Sequence, residues 1–280
     1  MPSIVTLTTD FNDDFYAASM KGAILSVNAG ITITDISHCI SPQNIREAAF
    51  IIGVTYCYFP EGTIHVVVVD PGVGSNRKAL ILSTPHAVFV APDNGVLSYI
   101  IDEYRPEKSS FSHGKVPVTG RRKLPPGLTA VHITDPRFWR KEVSPTFHGR
   151  DVFAPVAAHL ACGIPLHRFG KQIGYLNVFP VTRPRIEHGE MATGRVLYID
   201  RFGNLITDIK VEGLRSRVLE VRIGNSCING LNNFYAEKEG LIALTGSSGY
   251  LEIALTNGNA STLLKAGTGE EVTVILQKGN

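Results

Sequence analysis

Residues 63–77 read TIHVVVVDPGVGSNR. The first seven are almost continuously β-branched and apolar. A strand with one face in water alternates polar and apolar side chains. This run does not, so it predicts a strand covered on both faces, inside a sheet flanked by helices. It ends abruptly on Asp70, and the Pro-Gly turn that follows lets other groups approach the backbone closely.

The flanks extend the pattern. Ile4–Thr8 predicts a short strand ending at Asp10, and Phe15–Val27 has helical spacing with Asp13 or Asp14 where an N-cap belongs. Ile31–Ile36 reads as a second strand and Asn44–Tyr58 as a helix, with Pro42 near its start. Ala79–Ser83 and Ala87–Val90 predict strands, Gly95–Asp102 a helix, Leu128–Ile133 a strand and Val152–Cys162 a helix. Strands alternating with helices imply an α/β domain with a mainly parallel central sheet.

Residues 105–128 interrupt this order. They are rich in Pro and Gly and carry six basic residues against Glu107 alone, which reads as a loop. After about residue 176 the segments become short and β-like, with turns such as Gly203-Asn204, Gly224-Asn225 and Asn257-Gly258. That spacing predicts a small antiparallel barrel or sandwich. The expected organisation is an N-terminal α/β domain at 1–176, a linker at 177–188, and a smaller all-β, barrel-like C-terminal domain at 189–280.

The composition excludes several classes. The chain has 280 residues, 44 % of them hydrophobic, enough to bury a core. A net charge of +2 is too small to argue for a nucleic-acid partner. No apolar run is long enough for a membrane span, and MPSIVTLTTD does not resemble a signal peptide. Cys39, Cys57, Cys162 and Cys227 form no CxxC pair and read as reduced, mostly buried thiols of a cytoplasmic protein, with no metal site.

Polar residues concentrate in four stretches. Residues 8–14 (TTDFNDD) hold three carboxylates suited to ribose hydroxyls or a cation, or to a solvated turn with an N-cap. Residues 69–77 offer Asp70 and Arg77, as part of a site or as an ion pair closing a turn. This stretch has neither GxxxxGK(S/T) nor GxGxxG, so it does not indicate a phosphate site. Residues 145–151 (PTFHGRD) place His148 between an aromatic residue and a glycine before a helix, exposed enough for chemistry, although a lone histidine is commonly structural. The fourth is split between 200–204 (DRFGN) and 245–250 (TGSSGY), two glycine-rich turns suited to contacting a ligand. The second is not a GxSxG elbow.

Taken together, these turns resemble one family. TLTTDF at 6–11, MKGAILSVN at 20–28, REAAF at 46–50, FPEGTIHVVVVDPGVGSNR at 59–77, APDNGVLS at 91–98, TFHGRDVFAPVAAHLACG at 146–163, IDRFGNLITDI at 199–209 and GSSGYLEIA at 246–254 are similar to the S-adenosyl-L-methionine (SAM) hydroxide adenosyltransferases. These are the hydrolytic relatives of the SAM-dependent fluorinases and chlorinases. The resemblance implies cleavage of SAM at C5′ by water or hydroxide, giving adenosine and L-methionine. SAM is then the substrate, and no cofactor or metal is required.

The resemblance also implies roles. Asp70, Arg77 and His148 match the catalytic trio. Asp10 matches the carboxylate on the ribose hydroxyls, Asp200 the partner of the methionine ammonium, and Asn204 the amide that reads adenine. Phe147 and Tyr235 match aromatic positions lining the nucleoside pocket. Ser247 matches a serine at the methionine end, and Asn94 a residue close to the pocket. The halogenases carry Tyr in place of this Asp and other residues in place of His-Gly, so Asp70, His148 and Gly149 follow the hydrolytic pattern. Alternatives of other kinds are a halogenase, a non-catalytic SAM or adenosine binder, and nucleic-acid binding through the 105–128 loop. Family members are trimers or dimers of trimers with the site between subunits, so a homotrimer is expected here. Relative to that pattern, the turn after Asp10 is one residue shorter and the 105–128 loop is longer.

Overall fold

The β-branched run at 63–68 is the third strand of a seven-stranded sheet. A computed structural model describes residues 3–12, 15–105 and 119–277. The sheet holds β1 (Ile4–Thr9), β2 (Thr32–Ser37), β3 (Thr63–Val68), β4 (Ala79–Ser83) and β5 (Ala87–Pro92). Between β5 and the sheet's last two strands comes β6 (Gly120–Lys123). β7 (Thr129–Ile133) and β8 (Gly170–Ile173) then complete the sheet, and β9 (Tyr175–Val178) pairs with β6 as a separate ribbon. The order is β2-β1-β3-β5-β4-β7-β8. β2, β1, β3 and β5 are parallel neighbours, while β4, β7 and β8 each pair antiparallel. Five of the seven strands therefore run the same way, as the alternating pattern required.

The reading of β3 holds in detail. Ile64, Val66 and Val68 join one core with α1 (Phe15–Val27), while Val67 and Val69 join a second core on the opposite face with α2 (Ile45–Thr55) and α3 (Ser98–Glu103). α4 (Ala154–Ala161) covers the first face beside α1. A fully buried Val, Leu or Ile stabilises by about 1.5–3 kcal/mol, so this strand anchors both layers. α2 starts where the sequence placed it. The Asn44 side chain accepts from the Glu47 N–H, and the Glu47 carboxylate accepts from the Ser41 N–H and the Asn44 amide. Its last turn tightens to a 3-10 turn at Tyr56–Tyr58.

The chain divides into two compact units, the first running to Val181 and the second from Thr182 onward. In the second unit, β10 (Arg185–Glu187), β11 (Met191–Ile199), β12 (Leu205–Lys210), β13 (Val218–Ile223), β14 (Ser226–Asn229), β15 (Leu241–Thr245), β16 (Tyr250–Leu255) and β17 (Glu271–Leu276) pair antiparallel throughout. The order β14-β13-β17-β11-β12-β16-β15 brings its two end strands towards each other. An Asn232–Leu244 bridge just after β14 helps curl the sheet into an almost closed barrel. A short α5 (Ala260–Leu264) lies against β16.

Three expectations change. The loop read at 105–128 contains β6, whose Gly120–Lys123 backbone pairs with β9; its charged side chains hid a strand that hydrogen bonds define. The helix read from Val152 begins instead as a π-turn at Gly149–Phe153. All four cysteines are free as expected but exposed: Cys39, Cys57 and Cys162 lie just past β2, α2 and α4, and Cys227 is an exposed position of β14. The expected cap at Asp13 or Asp14 lies outside the described residues.

Candidate active site

β1 and β3 lie side by side, with Thr9 opposite Val68. The chain leaves β1 for β2 on one side and returns to β3 on the other, so the carboxyl ends of β1 and β3 flank the point where strand order reverses. Open α/β sheets bind ligands at such points. Asp10 directly follows β1, and Asp70 comes two residues after the end of β3.

The turn after Asp70 is closed by the Val73 N–H on the Asp70 carbonyl and the Ser75 N–H on the Gly72 carbonyl. Gly74 has φ +77°, and a Cβ there would lie 2.4 Å from the Pro145 carbonyl oxygen. Only glycine meets both conditions, so the turn packs directly onto the loop that carries His148. Arg77 returns from this turn and grips Asp70. Its Nε donates to Oδ1 and Oδ2 at 3.0 and 2.9 Å, and its Nη2 donates to Oδ2. The two side chains are only 5 % and 10 % exposed, so each depends on the other for its charge.

Arg77 Nη2 also lies 2.9 Å from His148 Nδ1. Guanidinium only donates, so this contact assigns a lone pair to Nδ1. The imidazole is therefore neutral with its proton on Nε2. Burial, and next the Arg77 charge, hold the His148 pKa below the usual 6.5, against the pull of Asp70 and Asp151. His148 also lines a cavity of about 430 Å³, together with Asp10, Phe11, Tyr16, Gln43, Asp70 and Phe147.

Phe147 is buried, and its ring packs edge-on against Phe11 and Tyr16 at 5.5 and 5.1 Å. Gly149 is closely packed, since a Cβ would sit 3.2 Å from both Met20 Sδ and the Phe147 ring. Asp10 Oδ2 accepts the Gln43 N–H at 2.7 Å, and Gln43 holds this position with φ +63°.

The structure thus brings Asp10, Asp70, Arg77, Phe147 and His148 together in the first unit. Asn94 does not line the cavity. Its amide donates to the Val69 carbonyl at 2.9 Å and accepts from the Val96 N–H, so it braces the strand end ahead of Asp70.

The other four expected residues belong to the second unit. Asp200 Oδ1 accepts from the Phe202 and Asn204 N–H groups, and Oδ2 accepts from the buried Asn204 amide at 3.0 Å. The Tyr235 hydroxyl donates to Glu252 Oε1 at 2.6 Å. Ser247 is exposed on the turn between β15 and β16. Sequence reasoning missed Glu252, which is 6 % exposed. Burial, helped by the Asp200 charge, pushes its carboxyl above the usual range, although the Tyr235 hydrogen bond opposes this. A lone Glu inside the apolar run LEIAL was the available signal. Tyr16 and Gln43 were missed too, because only folding carries them to the Asp10 turn.

Comparisons with known proteins identify the family. The family model for the SAM hydroxide adenosyltransferase N-terminal domain matches residues 5–170, and that for the C-terminal domain matches 194–273. An (R)-S-adenosyl-L-methionine hydrolase of Thermus thermophilus is 33 % identical, covering 97 % of this chain and 99 % of that protein. The (R)-S-adenosyl-L-methionine hydrolase of Methanocaldococcus jannaschii is 31 % identical, covering 97 % and 95 %. Among solved structures, an uncharacterised conserved protein from Thermotoga maritima superposes with a TM-score of 0.82 at 32 % identity, covering 97 % of this chain and 99 % of that one.

Proposed function

The chain belongs to the SAM hydroxide adenosyltransferase family, and on that premise we propose that it hydrolyses S-adenosyl-L-methionine to adenosine and L-methionine. The observation that carries this reading is the joined Asp70–Arg77–His148 arrangement beside the cavity. Water attacks C5′ in line with the C5′–S bond. The C5′–O bond forms as C5′–S breaks, and the electron pair leaves on sulfur, neutralising the sulfonium. The water proton passes to the protein and then to solvent. A sulfonium leaves without being protonated, so the reaction needs neither a general acid nor a cofactor. The protein's main task is to hold water opposite the bond, and such positioning can supply about 7–11 kcal/mol.

The hydrogen bonds support a division of roles. Arg77 cannot accept a proton. His148 has Nδ1 engaged and its proton on Nε2, so it donates to the water oxygen. Asp70 Oδ1 takes one hydrogen bond from Arg77 and keeps lone-pair capacity, so Asp70 is the acceptor. Free water has a pKa of about 15.7. The proton therefore moves as the C5′–O bond forms and the water becomes acidic, not before.

In this reading the Asp10 carboxylate holds the ribose hydroxyls and Phe147 lies against the nucleoside. Asp200 takes the methionine ammonium, Asn204 reads adenine, Tyr235 borders the pocket and Ser247 meets the methionine end. The trio and this second group come from different units, and the reading includes a homotrimer in which neighbouring copies complete each site. It also places the protein in the cytoplasm, consistent with four free cysteines. The test is incubation with SAM, with and without fluoride, chloride or bromide, followed by separation of the nucleosides. Adenosine forming without halide, and lost in Asp70→Ala, supports the reading. A halide-dependent 5′-halonucleoside makes the protein a halogenase. Intact SAM with a raised melting temperature makes it a binder.

A further inference from the structure

Asp151 lies three residues beyond His148, inside the π-turn that starts α4, and its side chain is completely buried. Buried carboxylates are costly unless paired, and this one is heavily paired. Arg150 donates Nε to Oδ1 at 2.6 Å and Nη2 to Oδ2 at 2.9 Å. Arg140 Nε approaches Oδ1 at 3.4 Å. The Ser144 N–H donates to Oδ2 at 2.9 Å. The backbone of Asp151 is tied as well. Its N–H donates to the Phe147 carbonyl, and its carbonyl accepts from the Arg140 N–H at 2.9 Å.

These contacts share one geometrical effect. Each ties Asp151 to a residue of the 140–150 segment, which carries Pro145, Phe147 and His148. Pro145 is the residue onto which the Gly74 turn packs, and His148 is the acceptor for Arg77. Displacing this segment would move the imidazole relative to Asp70 and Arg77. Asp151 also acts on the imidazole by charge. Asp70 and Asp151 favour its protonation while Arg77 opposes it.

We propose that Asp151 is a positioning residue for His148, closing the 140–151 segment so that the imidazole meets Arg77 and offsetting part of the Arg77 charge there. This rests on the reading of Asp70, Arg77 and His148 as the catalytic trio. π-turns recur at functional sites, and here the turn places a buried anion behind the working side chain.

Asp151→Asn in the full-length protein tests this, because the amide oxygen can still accept from Ser144 while the charge is lost. The expected result is a fall in kcat of about 10- to 100-fold with KM for SAM changed by less than about threefold, as misplacement of a catalytic group predicts. NMR of the labelled His148 ring is expected to titrate at lower pH than in the wild type. If Asp151→Asn does not fold, Arg140→Gln removes only the 3.4 Å contact from a half-exposed arginine. It is expected to lower kcat in the same direction but less. Unchanged kcat together with an unchanged His148 titration, in whichever variant folds, overturns the proposal. So does a loss of kcat matched by an equal loss of SAM binding. The ring titration needs no turnover. If the wild type leaves SAM intact, the catalytic reading fails while the titration still decides whether Asp151 acts on His148.

Discussion

Arg77 donates to His148 Nδ1 at 2.9 Å while holding Asp70 with Nε and the same Nη2, so one guanidinium sets the protonation of one neighbour and the orientation of the other. Residues 77 and 148 are far apart in the chain. They meet because the Gly74 turn rests on the Pro145 carbonyl, three residues before the histidine.

Asp70→Ala is expected to lower kcat by about 10²–10⁴-fold, the usual worth of a positioned proton acceptor. KM for SAM is expected to change by less than about threefold, since in the proposed mechanism Asp70 acts on the water and not on the bound nucleoside. Steady-state kinetics with adenosine as the product checks the split. Equal losses in kcat and SAM affinity count against the assignment.

The histidine sets a pH dependence whose sign follows from its direction of shift. The pKa of folded His148 lies below 6.5, so the neutral form is favoured by folding. Its contribution to stability is present above 6.5 and is lost as pH falls towards the folded value. Activity is expected to persist through pH 6.5 and to fall only below it, when Nδ1 gains a proton and loses its bond from Arg77. A pH–rate profile checks this. An acid limb centred above 6.5 contradicts a neutral donor.

Gly74→Ala is expected to destabilise the protein by about 1–3 kcal/mol, because the new Cβ both strains a positive φ and meets the Pro145 oxygen. The same substitution is expected to lower kcat, because the collision pushes apart the two segments that join Arg77 to His148. Gly62 has φ +79° but open space around it, so Gly62→Ala is the control. It should cost stability without lowering kcat. Thermal melts and turnover of both variants separate strain from misplacement.

Glu252 gives a pH effect of opposite sign in the second unit. Its folded pKa is raised, so its favourable contribution is present below the ordinary Glu value and is lost as pH rises through the folded one. The melting temperature of Glu252→Gln relative to wild type is expected to rise between pH 4.5 and pH 8. Tyr235→Phe removes the hydroxyl donor to Glu252 and is expected to cost about 1–3 kcal/mol. A flat difference across pH shows that Glu252 does not carry the shift.

A chelator experiment tests the cofactor-free mechanism. Turnover is expected to survive prolonged exposure to EDTA followed by gel filtration, because the sulfonium provides its own leaving group. Loss of activity, restored by adding back a divalent cation, contradicts that mechanism.

Much of the architecture was readable before folding. Val66, Val67, Val68 and Val69 are apolar without alternation, and each is buried in one of the two cores. Asp70 follows that strand, and strand ends are where such sheets build sites. Local contacts leave less trace. Gly120–Lys123 is three-quarters basic or polar by side chain, and only its backbone pairing with Tyr175–Val178 makes it a strand. The Asn94 amide donates to the Val69 carbonyl, a contact across 25 residues that PDNG does not signal. Glu252 and Tyr235 are 17 residues apart, and neither signals the other.

Period and residue type depend on neighbours along the chain, so they determined the layers of the N-terminal sheet, the antiparallel barrel and the acidic and basic groups available for chemistry. Protonation, partner choice and orientation depend on neighbours in space. That Arg77 bridges Asp70 and the Nδ1 atom of His148, and that Asp151 is tied to the 140–150 segment, were decided only when Gly74 met Pro145 and Arg77 reached the imidazole. A hydrogen bond across 71 residues has no period and no spacing by which a sequence could announce it.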